Sequence, residues 1–382
     1  MKKLPLGIQT FREIIEGDYI YVDKTRLIYN LLNDAKYYFL SRPRRFGKSL
    51  LLDTIAEVFG GDRELFNGLY IHDTGYDFEK HPVLRIDMSN IANETPEALK
   101  ESLLFALEER ITEEGFTIAG NIPSDIIKSL IKALYIKYDK KVVVLIDEYD
   151  KPIVDHFDDI MLAEENRKVI RGFYGTLKSM DPYLRLIFIT GVSKFTKTSV
   201  FSSLNNLLDI TMTSRYANIC GIAIDDFGDY FKEYIDKLKS LRAFSDYADF
   251  QGEILKWYDG YSWDGETRVL NPYSLLSFFS QERFSGFWYE TGTPTFLVDM
   301  LKAKPESFLS LRNLEIRERL LDTFDIRKME AEPLLFQTGY LTVKEKRSRG
   351  GVESYLLGIP NLEVQESLNL NIIAKFTEKG LC

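Results

Sequence analysis

Histidine and cysteine are nearly missing from this sequence. Three histidines (His72, His81, His156) and two cysteines (Cys220, Cys382) are spread over 382 residues. No two histidines stand at ligand spacing, and two thiols supply neither a zinc ligand set nor a disulfide framework. There is also no apolar run of the roughly 18 residues that a membrane-crossing helix needs. The opening Met1-Lys2-Lys3-Leu4-Pro5 lacks the apolar core of a secretory signal. A cytoplasmic, soluble protein with no membrane partner is expected. Positive charge is short as well: 49 Lys and Arg against 58 Asp and Glu leave a formal charge of −9. Without a general basic field, any contact with nucleic acid must come from a local patch.

Apolar side chains, by contrast, are plentiful. They make up 45% of the chain, with 26 Phe and 22 Tyr, so a sizeable core is expected. The length fits two or three domains of about 100–200 residues each. The first 35 residues read as a leader with a helix over Lys24–Leu32. Tyr37–Leu40 reads as a buried strand, stopped at Ser41-Arg42-Pro43. From Lys48 onward, Leu50, Leu51, Ile55, Val58 and Phe59 recur at helical spacing, and Gly60-Gly61 closes the helix. Further strands are expected at Val83–Met88, Val142–Ile146, Leu184–Ile189 and Leu207–Thr211. Helices are expected over Pro96–Glu114, Ser124–Tyr138 and Ala163–Met180. This alternation predicts an α/β fold, a parallel sheet with helices on both faces.

Beyond about Gly221 the pattern becomes helical, over Asp225–Leu241, Tyr247–Tyr258, Pro272–Ser280 and Thr295–Lys302. Leu334–Val343, a charged glycine-ended turn at Lys344–Gly351, and Glu353–Leu357 then suggest the hairpin of a winged-helix-like module.

The turn between the first strand and the helix opened by Lys48 carries the first chemical signal. Backbone N–H groups at a helix start lack intrahelical partners, and the helix dipole is positive there, so a polyphosphate satisfies both. Gly47 lets the backbone approach closely. Lys48 can reach the β- and γ-phosphate oxygens, and the Ser49 hydroxyl can ligate Mg²⁺. The usual spacing G-x-x-x-x-G-K-[ST] is broken, because Arg42 stands where the first glycine belongs. The loop Arg42-Pro43-Arg44-Arg45-Phe46-Gly47-Lys48-Ser49, with Leu50 following, puts three arginines around the anion.

The second signal is Val142–Ile146 followed by Asp147-Glu148. A carboxylate at the C-terminal end of a parallel strand lies beside the crevice where ligands bind. Asp147 can hold Mg²⁺ through its water shell, and Glu148 can orient or deprotonate the attacking water. The end of the next strand offers Thr190 and Ser193 as polar groups beside the γ-phosphate, with Lys194 as added charge. Both signals together, in this order, point to ATP with Mg²⁺. No Asn-Lys-x-Asp motif for reading guanine is present.

These residues resemble the AAA-ATPase-like family of P-loop proteins, often fused to a C-terminal PD-(D/E)XK-type nuclease-like domain. The resemblance is carried by Tyr21-Val22-Asp23-Lys24-Thr25, by the Arg42–Ser49 loop and by Leu145–Pro152. It continues through Thr190–Phe195, Leu204-Asn205-Asn206-Leu207, Tyr258-Asp259-Gly260-Tyr261 and Asn271–Leu276. The arginine at the first-glycine position is a variant that this family shares. The resemblance implies a three-layer P-loop sandwich with a parallel sheet of order 5-1-4-3-2 over residues 1–222. A helical lid over 223–265 and a winged-helix-like segment over 266–362 would follow. Residues 363–382 would form a tail leading to a nuclease-like domain that is expected to be absent, since no Asp followed by a strand with Glu-x-Lys occurs there.

Three functions are compatible with these features. One is an ATPase switch in which ATP closes the lid and hydrolysis resets it. A cation from the lid or from a neighbouring copy would sense the nucleotide, with Arg215 and Arg268 as candidates and a homo-oligomer as one arrangement. The second is an ATPase associated with DNA or RNA through Lys344–Arg349. The third is a small-molecule kinase, for which no acceptor pocket is identifiable.

Overall fold

The computed structural model describes residues 1–194, 200–201, 204, 206–241, 244, 248–288, 314–317, 321, 331–350 and 352–369. Five strands, β1 (Tyr37–Ser41), β2 (Val83–Asp87), β3 (Val142–Asp147), β4 (Leu184–Gly191) and β5 (Leu208–Asp209), form one sheet in the order β2-β3-β4-β1-β5. Every pair is parallel. Read from the opposite edge, this is the expected 5-1-4-3-2. All residues of β1 and β3 are buried. Successive strand side chains face opposite ways, so both faces of the sheet are covered. Helices α1 (Phe11–Glu16), α2 (Thr25–Leu32), α3 (Lys48–Gly60), α4 (Pro96–Glu113), α5 (Pro123–Tyr138), α6 (Lys151–Val154) and α7 (Ile160–Thr176) complete this half. The seventh is shorter than expected, because the chain tightens into a 3₁₀ turn over Leu177–Tyr183 around Pro182.

The leader is more structured than its sequence suggests. Phe11 opens α1, stacks on Phe66 at 4.8 Å and donates its backbone N–H to Asp53 Oδ2 on α3 at 2.6 Å. This pins residues 5–9 across the mouth of the loop that precedes α3.

The second half begins with β6 (Ile222–Ala223), α8 (Ile224–Tyr230), α9 (Lys232–Lys239), α10 (Phe250–Tyr258), β7 (Val269–Leu270) and α11 (Pro272–Gln281). The helix expected over Asp225–Leu241 is broken at Phe231, whose ring lies flat on Phe279 at 5.4 Å. The expected helix over 295–302 and the tail beyond 369 lie outside the described residues. A three-stranded antiparallel sheet follows, built from β8 (Leu314–Arg317), β9 (Thr342–Arg349) and β10 (Val352–Gly358), with α12 (Ala331–Gln337) before β9. The expected turn at Lys344–Gly351 is therefore wrong for Lys344–Arg349, which is strand; the turn is confined to the residues about Gly350, where φ is +60°. Charge misled the reading: the long cations of β9 reach acids on its own and neighbouring strands. Lys346 pairs with Glu353 at 2.8 Å, and Arg347 with Glu345 at 2.8 Å and Glu315 at 3.5 Å.

Two apolar clusters result. The main one joins the parallel sheet to Trp263, Trp288, Tyr340 and Tyr355. The other is aromatic-rich and lies among α8 to α11, with Ile20 and Ile222. The β6–β7 ribbon lies between them, Val269 belonging to the first cluster and Leu270 to the second.

Arg42 ties the halves together. Its side chain is fully buried, and its guanidinium lies 3.9 Å from the centre of the Trp263 ring. It donates to the carbonyls of Ser41 at 2.9 Å, Thr211 at 2.8 Å, and Tyr216 and Ala217 at 3.4 Å. Burial without a bonded carboxylate pulls its pKa down to about 10. The expectation that its charge faces an anion is thereby corrected: the side chain points inward, away from the loop's open face. Arg42→Ala strands four carbonyls and an aromatic face, so a loss of about 3 kcal/mol or more is expected in urea unfolding. Arg42→Lys recovers little, because an ammonium cannot reproduce the planar fork.

Glu363 makes a second joint. Its Oε1 accepts from Ser274 Oγ at 2.9 Å and from the Trp288 N–H at 2.8 Å, while Oε2 has no partner among the described residues. Burial pushes its pKa from 4.5 up to about 7. Between those values the folded chain keeps a proton that the unfolded chain has lost. Stability therefore falls as pH rises through this window and stays lower above it. The melting temperature of Glu363→Gln should gain on the parent's between about pH 5 and about pH 8; a constant difference across that range would contradict the shift.

Candidate functional site

The loop from Arg42 to Gly47 turns its carbonyls backward. The carbonyls of Arg42 and Pro43 accept from Lys48 Nζ, both at 3.0 Å. That of Arg44 accepts from the Trp288 indole at 3.2 Å, and that of Phe46 from the Gly221 N–H at 3.1 Å. Among the described residues, no backbone N–H from Arg44 to Leu50 has a hydrogen-bond partner. Arg45 at φ +70° and Gly47 at φ +87° provide the left-handed bends, a conformation that favours glycine at 47. Successive unpaired N–H groups at the start of α3 make an anion cradle. The donor set therefore fits a polyphosphate.

The loop is braced from behind. Phe46 is buried, and its ring meets Tyr261 at 4.8 Å and Trp263 at 5.5 Å. Pro43 sits against Gly339, where an added Cβ would come within 2.9 Å of the proline ring. The side chains of Arg42 and Phe46 thus anchor the loop, while Pro43 contributes its carbonyl.

Ser49 and Asp147 meet as their spacing suggests: Ser49 Oγ donates to Asp147 Oδ2 at 2.6 Å. The other oxygen of Asp147 accepts from Thr190 Oγ1 at 2.5 Å and from the Glu148 N–H at 3.0 Å. A hydroxyl and an oriented carboxylate are hard oxygen donors that suit Mg²⁺ completed by water and phosphate. Thr190 is fully buried and spends its proton on Asp147, so it positions that acid. Ser193 is buried with no partner on its Oγ among the described residues. Its N–H donates to Asp150 Oδ2 at 2.6 Å. Asp150, absent from the sequence expectations as a site residue, ties the end of β3 to the end of β4 in this way. Lys194 pairs with Asp209 at 2.6 Å.

Glu148 follows β3 with φ +49°, strained for a residue with a side chain. Such strain persists only where surrounding structure enforces it, and it clusters at functional positions. Burial raises its pKa, while the charges of Lys48 and Arg44 oppose the rise.

A groove of about 570 Å³ opens above the loop, bounded by Pro5 to Gln9 of the leader, by Glu148 and by Tyr273. An apolar recess of about 100 Å³ adjoins it, sharing Pro5, Gly47, Leu50, Pro272 and Leu276 with its walls. Of the expected loop residues, Arg44, Arg45, Gly47, Lys48, Ser49 and Leu50 line the groove. Arg45 lies over the Tyr273 ring at 4.4 Å. Asn271 caps the helix that presents Tyr273, accepting the Ser274 N–H at 3.1 Å, with Pro272 in the first turn. Arg215 and Arg268 do not reach the groove: the first pairs with Asp34 at 2.9 Å and the second with Asp259 at 3.6 Å. The leader wall and Tyr273 went unrecognised in the sequence, although Asn-Pro before an apolar helix signals a capped start aimed at something. Among the described residues no helix is long and apolar enough to cross a membrane.

A family model described as AAA-ATPase-like, predicted AAA-ATPase, matches residues 5–201. A protein of Azotobacter chroococcum mcd 1, described as an uncharacterized protein in the vnfD 5' region, is 41% identical over 378 residues, which is 98% of this chain and 70% of that protein. Two solved structures show remote likeness. One is the Aeropyrum Pernix ORC2 protein in ADPNP–ADP complexes, at 13% identity and TM-score 0.30, with 96% of this chain and 98% of that one covered. The other is Drosophila ORC bound to poly(dA/dT) DNA and Cdc6, at 13% identity and TM-score 0.29. There 76% of this chain matches 44% of the other, so this chain spans under half its length. Such scores carry no argument, and the fold rests on the strand order itself. The family match covers just over half of the chain, including the phosphate loop and β3: this chain belongs to the AAA-ATPase-like family of P-loop proteins.

Proposed function

We propose that this chain binds ATP with Mg²⁺ in the groove above the Arg42–Ser49 loop and hydrolyses it, using the change to move its helical lid. One observation carries the reading: the run of unpaired N–H groups from Arg44 to Leu50 faces a groove that also holds Lys48, Ser49 and Glu148. We take residues 1–222 as the nucleotide-binding part and the following helices, from 223, as the lid. The apolar recess beneath Pro5 and Leu276 suits a base, and the N–H array suits the phosphates.

Lys48 spans two loop carbonyls, so its ammonium is held ready for the β- and γ-phosphate oxygens. Ser49 and Asp147 would hold Mg²⁺, which would neutralise charge on those oxygens. Thr190 keeps the Asp147 carboxylate turned to its task. Glu148 accepts the proton of the attacking water. The water oxygen bonds to the γ-phosphorus, the bond to the β,γ-bridging oxygen breaks, and ADP leaves with the electron pair.

The nucleic-acid alternative loses its main support, since Lys346 and Arg347 are matched by acids. A kinase would need an acceptor pocket, and Glu148 beside Asp147 suits water activation better.

Lys48→Ala should weaken ATP binding at least about 100-fold by calorimetry. Glu148→Gln should bind ATP normally while steady-state turnover falls by about 100-fold or more; parental turnover in that variant would remove Glu148 from the reaction. Because burial raises its pKa, activity should drop on the acid side at a higher pH than an ordinary glutamate's 4.5. A pH–rate profile of kcat reads this directly.

A further inference from the structure

The three loop arginines have three different surroundings. Arg42 is locked in the interior. Arg45 is exposed and covers the Tyr273 ring. Arg44 is half-buried on the groove wall with Lys48, Ser49 and Glu148. Among the described residues its guanidinium makes no ion pair, hydrogen bond or ring contact. Other cations near the groove are engaged: Lys48 on two carbonyls and Lys151 on Asp155 at 2.7 Å. The Arg44 charge nevertheless reaches Glu148, whose acidity it increases. A partly desolvated guanidinium with no partner is costly, and its planar fork suits phosphate oxygens arriving in the groove.

The backbone of the same residue is held from the opposite side. The Trp288 indole donates to the Arg44 carbonyl. Trp288 itself is fully buried, packs on Tyr340 at 5.1 Å, and is fixed through its N–H by Glu363. Moving Arg44 toward an anion therefore pulls on a side chain embedded in the C-terminal half.

We propose that Arg44 reads the γ-phosphate, discriminating tri- from diphosphate within a single chain, and that Trp288 is the positioning residue that transmits this state to the C-terminal half. The proposal rests on the ATP reading above. A sensing cation supplied by the phosphate loop itself requires no neighbouring copy. The link runs both ways: whatever displaces Trp288 must change the preference for ATP over ADP by the factor that the nucleotide exerts on Trp288.

The test is the ratio of two affinities, for a non-hydrolysable ATP analogue and for ADP, each with Mg²⁺, measured by calorimetry on the full chain. Circular dichroism melts verify that each variant folds. In Arg44→Ala the ratio should fall about tenfold, with ADP affinity within about twofold of the parent's. Arg44→Lys keeps the charge without the fork and should fall between the two. Trp288→Phe keeps an aromatic ring but loses the N–H, and should lower the ratio by about threefold with ADP affinity unchanged. Equal weakening of both nucleotides in Arg44→Ala reduces Arg44 to general phosphate attraction and overturns the proposal, as does an unchanged ratio. A parental ratio in Trp288→Phe overturns the positioning role. Failure of the parent to bind either nucleotide overturns the ATP reading, and this proposal with it.

Discussion

A peptide that offers a row of N–H groups to an anion must place its carbonyls somewhere else. In this chain the loop carbonyls go to Lys48, Trp288 and Gly221, and the rest of the molecule is arranged around that requirement. A carbonyl free to turn inward would pair with the N–H groups or repel the phosphate. Two of the three partners, Trp288 and Gly221, come from beyond the β4 end of the sheet, so the cradle is not a local property of the Gly-Lys-Ser sequence. This explains how the loop does without its first glycine. Arg42 carries that position into the core, where its guanidinium collects four carbonyls and the face of Trp263. The missing freedom of a glycine is replaced by an anchor that fixes where the loop begins.

Electrostatics on the other side of the groove are equally constrained. Asp147 accepts from Ser49, Thr190 and the next backbone N–H, so both of its oxygens are held in place. Glu148, one residue later, has a left-handed backbone and a carboxylate without a hydrogen-bond partner among the described residues, and burial makes it more basic. Adjacent acids thus have different surroundings, one held by three donors and the other without any among the described residues. Asp150 holds the strand ends together beneath them, accepting the N–H groups of Val192 and Ser193.

Much of this was legible in the sequence, for physical reasons. Strands buried on both faces must be continuous apolar runs, so β1, β3 and β4 stood out, and the strand order followed from the resemblance. Ser49 and Asp147 meet because strand ends and helix starts converge at the same edge of such a sheet. Long-range partners were not legible. Nothing near Arg44 announces Trp288, and nothing near Arg42 announces that its charge turns inward. The basic run at Lys344–Arg349 looked like a solvated turn because its acidic partners, Glu315 and Glu353, lie on other strands. The leader gave no periodic signal over its six-residue α1, yet through Phe11 and Asp53 it walls the groove.

The β6–β7 ribbon has a mechanical consequence. It is two residues long in each strand, and its neighbours Val269 and Leu270 are rooted in different apolar interiors. A ribbon so short resists shear poorly but fixes distance well. The aromatic block of α8 to α11 is thus joined to the sheet through this line, through the Glu363 bonds to Ser274 and Trp288, and through Ile20 of the leader. Because Tyr273 and Leu276 belong to that block while Lys48 and Glu148 belong to the sheet, the width of the groove is fixed by how those joints set the two against each other.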